Sequence, residues 1–252
     1  MLSSKNSLFS SAGIKFFDFH THINSSEDLL KYIDLKIHPV INCRNAKDIK
    51  MIDGIKGDFS YSIGCHPWDS NIPYNKLFDI KVDYNNKFFV GEIGLDSEWC
   101  KIPFDIQKER FIFELEQAKK HKKKCILHTK GMEKEILDII SKYSNDFIVH
   151  WYACDNYIED YIKIGSYFTI GYAIKYENEV RKLAQLAPLD HILYETDGLD
   201  AIEWLTKTKV KFDDMPDIYL EVLNEISKIK NIPVETIHQQ LYQNSLKLLN
   251  SQ

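Results

Sequence analysis

The chain has 252 residues, of which 44% are hydrophobic and 13% aromatic, with only 10 glycines and 7 prolines. This composition predicts a globular protein with a large core and excludes the disordered and fibrous classes. The 32 basic against 37 acidic residues give a net charge of −5, which argues against non-specific coating of nucleic acid but permits a narrow phosphate site.

Cysteine usage and the start of the chain bear on the cellular compartment. The five cysteines are scattered and form no Cys-x-x-Cys pair, which fits a reducing environment. Residues 1–13 are rich in serine and lack the apolar core of a signal peptide, and no later stretch approaches about 18 uninterrupted apolar residues. We expect a cytoplasmic protein without a membrane span, in which residues 1–13 form a flexible extension.

Short β-rich runs alternate with amphipathic runs along the chain, which is typical of β/α units around a parallel sheet. The pattern predicts eight strands, at Ile14–His20, Pro39–Cys43, Phe59–Gly64, Phe88–Gly91, Cys125–His128, Phe147–His150, Tyr167–Ile170 and Ile192–Glu195. It predicts helices between them at Glu27–Ile33, Ala46–Ile52, Tyr74–Ile80, Phe104–Lys120, Met132–Lys142, Asn156–Ile164 and Glu177–Leu186.

Two further amphipathic helices, Ile218–Ile229 and Val234–Leu249, follow the eighth strand. No internal repeat, low-complexity tract or linker divides the sequence. We therefore expect residues 14–252 to form one α/β domain, a single TIM-type (β/α)8 barrel.

Candidate metal ligands fall at or just after the ends of the predicted strands. The carboxyl ends of all strands in such a barrel open on one face, where barrel active sites are built. We therefore expect one site to contain His20, His22, His66, Glu92, His128, His150 and Asp197.

The segment Asp18-Phe19-His20-Thr21-His22 places two imidazoles at positions i and i+2, and an extended strand directs both to one side. That spacing predicts a chelating pair. An isolated histidine is more often a satisfied polar residue, but this pair lies on an apolar strand and other ligand types end the neighbouring strands. We therefore favour metal binding.

Glu92 stands between Gly91 and Gly94, which allow close approach of the backbone to a ligand. One carboxylate oxygen per ion would let it bridge two metals about 3.5–4 Å apart, as in two-metal hydrolases. The alternative is a structural glutamate in a salt bridge.

The remaining candidates complete the site. His128 and His150 each end an apolar strand and suit a second ion. Asp197 is predicted to be a ligand that also holds the attacking water, while Glu195 supports a ligand or is structural. His66 could donate to a phosphate or orient a substrate, although a structural role beside the following Pro67 and Trp68 is the alternative.

Taken together, the motifs resemble the TatD family of metal-dependent hydrolases, a branch of the amidohydrolase-like TIM barrels. The resemblance runs from about Ile14 to Leu249 and is carried by Asp18-Phe19-His20-Thr21-His22, Gly64-Cys65-His66-Pro67, Gly91-Glu92-Ile93-Gly94-Leu95-Asp96, the helix centred on Gln107, Ile126-Leu127-His128, Val149-His150, Glu195-Thr196-Asp197 and Asn244.

The resemblance implies two divalent ions, with Glu92 bridging both. One ion would be held by His20, His22 and Asp197, and the other by His128 and His150, while His66 would contact a substrate phosphate. The family is also described as DNases that often act from the 3′ end of single strands, and some relatives are reported to deacylate D-aminoacyl-tRNA.

The sequence departs from the family pattern around the substrate. Thr129-Lys130 replaces a Ser-Arg type continuation, and a lysine holds phosphate as a point charge rather than a bidentate fork. Trp151-Tyr152-Ala153-Cys154 replaces Cys-Phe-Ser-Gly, and the segment from Gly198 to Trp204 replaces a proline-containing loop. The acidic Asp200 and Glu203 in that segment would repel a polyanion, whereas Trp151, Tyr152 and Trp204 could stack bases or line a small-molecule pocket.

The favoured hypothesis is a deoxyribonuclease that cleaves phosphodiester bonds with a water activated by two divalent ions, of Zn, Mn, Mg, Fe or Ni. Its catalytic residues are Asp197, Glu92 and His66, and Lys130 and Trp151 join His66 in binding single-stranded DNA. A hydrolase of an ester, amide or aminoacyl-tRNA linkage on the same site is the alternative, and a metal-stabilised binding protein is a third hypothesis. No membrane or protein partner is predicted.

Overall fold

The computed structural model describes residues 13, 15–78 and 82–250. In this part of the chain, eight strands lie side by side in chain order, and all seven hydrogen-bonded pairs are parallel. The strands are β1 (Phe16–Thr21), β2 (Ile37–Cys43), β3 (Ser60–Ile63), β4 (Phe89–Gly94), β5 (Cys125–His128), β6 (Phe147–Val149), β7 (Tyr167–Ile170) and β8 (Ile192–Tyr194). The predicted α/β barrel of the TIM type is confirmed.

Helices connect the strands and follow the last one. They are α1 (Ser26–Asp34), α2 (Ala46–Ile52), α3 (Tyr74–Leu77), α4 (Phe104–Lys120), α5 (Glu133–Ile140), α6 (Ile158–Lys163), α7 (Asn178–Leu186), α8 (Leu199–Thr206), α9 (Met215–Lys230) and α10 (Val234–Asn250), with short 3-10 turns at Pro67–Asp69, Tyr172–Lys175, Leu189–His191 and Phe212–Asp214. The predicted extension 1–13 lies outside the described residues except for Gly13, as does Ile14.

Most predicted elements are present with ends that shift by up to three residues; β4, for example, ends at Gly94 rather than Gly91. Two further differences need comment. The helix expected at Tyr74–Ile80 is shorter: α3 ends at Leu77, because Phe78 has the non-helical angles φ −113° and ψ 89°, and residues 79–81 lie outside the described ranges. The segment from Gly198 to Trp204, interpreted as a loop, instead forms most of α8. Gly198 precedes this helix with φ 88° and provides no side-chain cap, so the usual polar start signal is missing from the sequence.

The core has two layers. An inner cluster fills the barrel with one side chain from each of seven strands, and Leu248 of α10 packs into it; its strand members are Phe19, Val40, Phe89, Ile126, Ile148, Tyr167 and Leu193. A larger cluster lies between the strands and the surrounding helices. The barrel is therefore a packed scaffold that holds the strand ends in place.

Hydrogen bonds from the residues after β8 to β1 close the gap between these two strands, which share no hydrogen-bonded strand ladder among the described residues. The Thr196 N–H and hydroxyl donate to the two carboxylate oxygens of Asp18 at 2.8 and 2.6 Å. The Asp197 N–H donates to the His20 carbonyl at 3.0 Å. Because these bonds join the ends of the sheet, they also fix Asp197 beside His20.

None of the helices in the described ranges combines the length and apolar character needed to cross a membrane.

Glu114 is a buried acid beneath the barrel's rim. It projects from α4 with 1% exposure, and its Oε1 accepts the Cys65 N–H at 2.8 Å. Its Oε2 has no hydrogen-bond partner within the described part of the chain. Burial raises the pKa of this carboxyl to about 8, against the opposing effects of the Cys65 N–H and Arg110.

We predict that Glu114→Gln removes a pH dependence of stability. Because the pKa is higher in the folded state than the 4.5 of the free side chain, the proton on Glu114 favours folding below about pH 4.5, and this contribution is lost as pH rises through about 8. Urea unfolding of both proteins from about pH 5 to about pH 9 should show the free energy of unfolding of wild type falling relative to the variant.

Glu116→Gln, at an exposed position of the same helix, is the control and should track wild type. A difference between wild type and Glu114→Gln that stays constant across this range would contradict the prediction.

Candidate metal centre

A cavity of about 510 Å³ opens where the strands end. The sequence-predicted site residues that line it are His22, His66, Glu92, His128, Lys130, His150, Trp151 and Asp197. His20 lies just beneath, with 0% exposure. The structure thus brings all nine candidate residues to one place.

Glu92 occupies the centre of this cluster and is only 2% exposed. Its Oε2 lies 3.4 Å from His20 Nε2 and 3.7 Å from His22 Nε2. Its Oε1 faces a separate group of histidines, at 2.6 Å from His128 Nδ1, 3.4 Å from His66 Nε2 and 3.5 Å from His150 Nε2. One carboxylate therefore divides the ligand-type side chains into two groups.

Asp197 belongs to the first of these groups. Its Oδ1 lies 3.4 Å from the Nε2 atoms of both His20 and His22. The residue adopts φ 57°, which turns the chain after β8 back toward the centre, and its side chain is 19% exposed. Asp197 therefore contacts the buried His20, the partly exposed His22 and the open cavity.

Asn42 holds Glu92 in place. Its amide donates to Glu92 Oε2 at 3.2 Å and its Oδ1 accepts the Glu92 N–H at 2.9 Å. Gly91 lets β4 approach β5, because a Cβ there would lie 2.7 Å from Ile126 Cβ. Sequence reasoning missed Asn42, although it stands two residues after the inward-facing Val40 and so shares its face of β2.

Glu195 orients His150 through the ring nitrogen that does not face Glu92. Its Oε2 lies 2.9 Å from His150 Nδ1, and its Oε1 accepts the Trp151 N–H at 3.0 Å. Since a carboxylate only accepts, Nδ1 carries the proton and the lone pair of a neutral ring is on Nε2, facing Glu92. Histidines that bind a metal through one ring nitrogen typically donate the N–H of the other to a carboxylate, as His150 does here.

His66 has the opposite tautomer. Its Nδ1 accepts the Trp68 N–H at 3.2 Å, so the proton of the neutral ring lies on Nε2. Burial lowers the pKa of His66 to about 4, and the ring remains neutral at physiological pH. His66 therefore presents an N–H donor to the centre rather than a lone pair.

Asp96 is a site residue that sequence reasoning did not nominate. Its Oδ2 lies 3.1 Å from His128 Nε2 and accepts the Trp68 indole N–H at 2.7 Å. Its Oδ1 accepts the N–H groups of Glu98 and Trp99 at 2.9 and 2.8 Å. Asp96 thus ties His128 to the segment that carries Trp99. It stood inside a quoted motif, but these contacts depend on the tertiary structure.

Acidic and basic side chains at the centre shift each other's pKa values. Burial opposes ionisation of Glu92, but His66, His150 and His128 hold the pKa of its carboxyl well below the usual range. Burial opposes protonation of His128, yet Asp96 and Glu92 raise its pKa to about 9. The carboxylates at the centre therefore require positive charge beside them.

The residues fit divalent metal ions. Two overlapping groups each bring ligand atoms within 4.8 Å of one another: His20, His150 and Asp197, and His20, His22 and Glu92. In a third cluster, Glu92 and His128 lie beside His66, whose neutral ring presents its Nε2–H rather than a lone pair. Both ring nitrogens of the fully buried His20 lack a hydrogen-bond partner among the described residues. Imidazole and carboxylate donors of this kind suit first-row divalent ions.

A family model described as TatD related DNase matches residues 17–250. Curated proteins of similar sequence indicate the same family. The chain is 29% identical over 159 residues to the uncharacterized metal-dependent hydrolase MJ1582 of Methanocaldococcus jannaschii, covering 63% of this chain and 61% of that protein. It is 24% identical over 258 residues to the uncharacterized metal-dependent hydrolase YabD of Bacillus subtilis, covering 92% and 98%.

Two further similarities extend the comparison. The 3'-5' RNA nuclease TATDN2 of Homo sapiens is 23% identical over 201 residues, which cover 74% of this chain and 26% of that protein. The crystal structure of the TatD homologue YJJV from Escherichia coli superposes with a TM-score of 0.74 at 18% identity, covering 94% and 98% of the two chains, and so shares the fold. The chain belongs to the TatD-related family of metal-dependent hydrolases.

Proposed function

We propose that this hydrolase is a deoxyribonuclease that cleaves phosphodiester bonds with a water activated by two divalent ions. The observation that carries the proposal is the division of contacts at Glu92, whose Oε2 faces His20 and His22 while its Oε1 faces His66, His128 and His150. Such a carboxylate suits a pair of ions sharing one bridge, which is the arrangement that phosphodiester hydrolysis uses.

The proposed ligands follow from this division. His20, His22 and Asp197 would hold one ion, and His128 and His150 the other, with Glu92 between them. When bound, the ions would lower the pKa of water toward neutrality and neutralise charge that develops on the phosphoryl oxygens.

Asp197 is proposed to hold the attacking water and take up its proton. Burial opposes ionisation of its carboxyl, but His150, His20 and His22 hold its pKa well below the usual range, so it is ionised and able to accept. It is also the carboxylate of the first ligand group that reaches the open cavity. The water oxygen would bond to phosphorus as the bond to the leaving sugar oxygen breaks.

His66 and Lys130 are proposed to position the phosphate. The Nε2–H of His66 points into the centre, as its tautomer requires, and a neutral donor can bond a phosphate oxygen without competing for a metal. Lys130 lines the cavity and supplies a positive charge. Trp151 lines the same cavity and offers a ring to the substrate.

A hydrolase of an ester, amide or aminoacyl linkage is the second candidate. The observation favouring it is that the carboxylates of Glu177 and Asp200 also line the cavity, where they would repel additional phosphates. The deciding experiment incubates the protein with Mg²⁺ or Mn²⁺ and end-labelled single-stranded DNA, matched RNA, and ester, amide and aminoacyl-tRNA substrates. Cleavage of DNA above all others supports the proposal, and hydrolysis confined to an ester or amide overturns it.

We predict that Asp197→Asn lowers kcat for DNA cleavage by at least about 100-fold, because an amide cannot take up the proton of the attacking water. Asp213→Asn, at an exposed aspartate that does not line the cavity, is the matched control and should leave kcat unchanged. Wild-type turnover in Asp197→Asn would remove this residue from the mechanism.

We also predict that Glu195→Gln weakens metal binding about 10- to 100-fold, because the neutral amide supports His150 Nδ1–H less strongly than a carboxylate does. Competition between the metal-stripped protein and a chromogenic chelator measures this affinity. Glu235→Gln, at an exposed glutamate of α10, should bind as wild type does. Equal affinities in all three proteins would show that Glu195 has no such supporting role.

A further inference from the structure

All four tryptophans of the chain line the same cavity. Trp68, Trp99 and Trp151 lie in the segments after β3, β4 and β6, and Trp204 lies on α8 after β8. Four separate connections therefore each place their tryptophan around the metal centre. Large aromatic side chains are normally buried in the core. The placement of all four tryptophans around one cavity therefore indicates that they bind a ligand.

Three of these rings form a continuous surface, which we call the tryptophan surface. The ring centroid of Trp204 lies 5.6 Å from that of Trp99 and 6.5 Å from that of Trp151. Trp151 is fixed by its indole N–H, which donates to Glu177 at 3.0 Å. Trp99 and Trp204 remain 52% and 50% exposed, so much of their ring area faces solvent.

The cavity is lined by charges of both signs. Lys130 and Arg44 contribute positive charge, and Arg44 lies over the Trp68 ring. At the tryptophan surface, Asp200 shares α8 with Trp204 and Glu177 is bonded to Trp151, while the Lys207 ammonium lies 4.8 Å from the centroid of the Trp204 ring. A phosphate is favoured near Lys130 and disfavoured beside these carboxylates, which can instead accept N–H groups from a flat, uncharged ring.

We propose that the tryptophan surface binds the unpaired bases at the end of a nucleic-acid strand by stacking, while the adjoining phosphodiester lies at the Glu92 centre. This inference rests on the proposed function and assigns the residues of this chain that would bind the bases. A cavity of about 510 Å³ is the size of a small-ligand pocket, which suits the end of a strand. The carboxylates of Asp200 and Glu177 disfavour a further phosphate directly beside them.

The test compares an oligothymidylate with the same strand carrying abasic residues at its terminal positions. Binding is measured with Mn²⁺ present, by anisotropy of a labelled strand whose terminal linkages are phosphorothioates that resist cleavage. Trp99→Ala and Trp204→Ala should each weaken binding of the intact strand about 5- to 150-fold, as expected for one lost base stack, while Trp→Phe at either position retains most of it. Because both rings are half exposed, these substitutions remove little core.

With the abasic strand, wild type and both alanine variants should bind equally. In cleavage assays the same variants should raise KM more than they lower kcat. Phe113→Ala removes a 43% exposed aromatic ring from α4 outside the cavity and should behave as wild type with either strand. Quenching of intrinsic fluorescence by the strand gives a second readout, since every tryptophan lines this cavity.

The outcomes separate the two proposals. Cleavage of DNA with no difference between intact and abasic strands in the alanine variants overturns the stacking surface and leaves the nuclease. Binding that depends on Trp99 and Trp204 without cleavage of any nucleic acid overturns the nuclease and leaves the stacking surface. Quenching of tryptophan fluorescence by a quaternary ammonium ion such as choline, with no quenching by the strand, also overturns the stacking proposal. The aromatic surface beside carboxylates would then be a site for a cation.

Discussion

The structure depends on the burial of one carboxylate. Glu92 is 2% exposed, and removing an ionised acid from water costs several kcal/mol unless opposite charge compensates. Five histidines at or just after the ends of β1, β3, β5 and β6 surround it, and Asn42 supplies a neutral hydrogen bond. Imidazoles alone compensate this charge only by holding extra protons, whereas divalent ions would do so and leave the rings neutral.

The same hydrogen bonds that complete the barrel assemble the first ligand group. Asp18 lies two residues before His20, and Thr196 lies one residue before Asp197. The paired bonds from Thr196 to Asp18 therefore join the two ends of the sheet and bring Asp197 to His20 in one arrangement. Tyr32 of α1 donates to Asp18 at 2.8 Å and ties the first helix to this junction. Loss of the junction would open the fold and the centre together.

Much of the fold could be predicted because local sequence patterns identify its strands and helices. β5, β7, α2 and α4 have the predicted bounds, since runs of apolar residues and helical spacing identify them without reference to neighbours. The convergence of His20, Glu92, His150 and Asp197 followed from barrel geometry, which places all strand ends on one face. The role of Asp96 could not be predicted, because it depends on contacts with His128 and Trp68 from separate connections. Helix α8 could not be predicted either, because no polar capping residue marks its start.

The measurement that tests this account most directly is the metal content of the purified chain and of Glu92→Ala, by elemental analysis after equilibration with excess Mn²⁺ or Zn²⁺ and removal of free ion. The account predicts about two ions per chain in wild type and at most about one in the variant, because both groups lose their shared carboxylate. Wild-type protein that retains no ion, or a variant that retains two, would contradict the claim that Glu92 organises a two-metal centre.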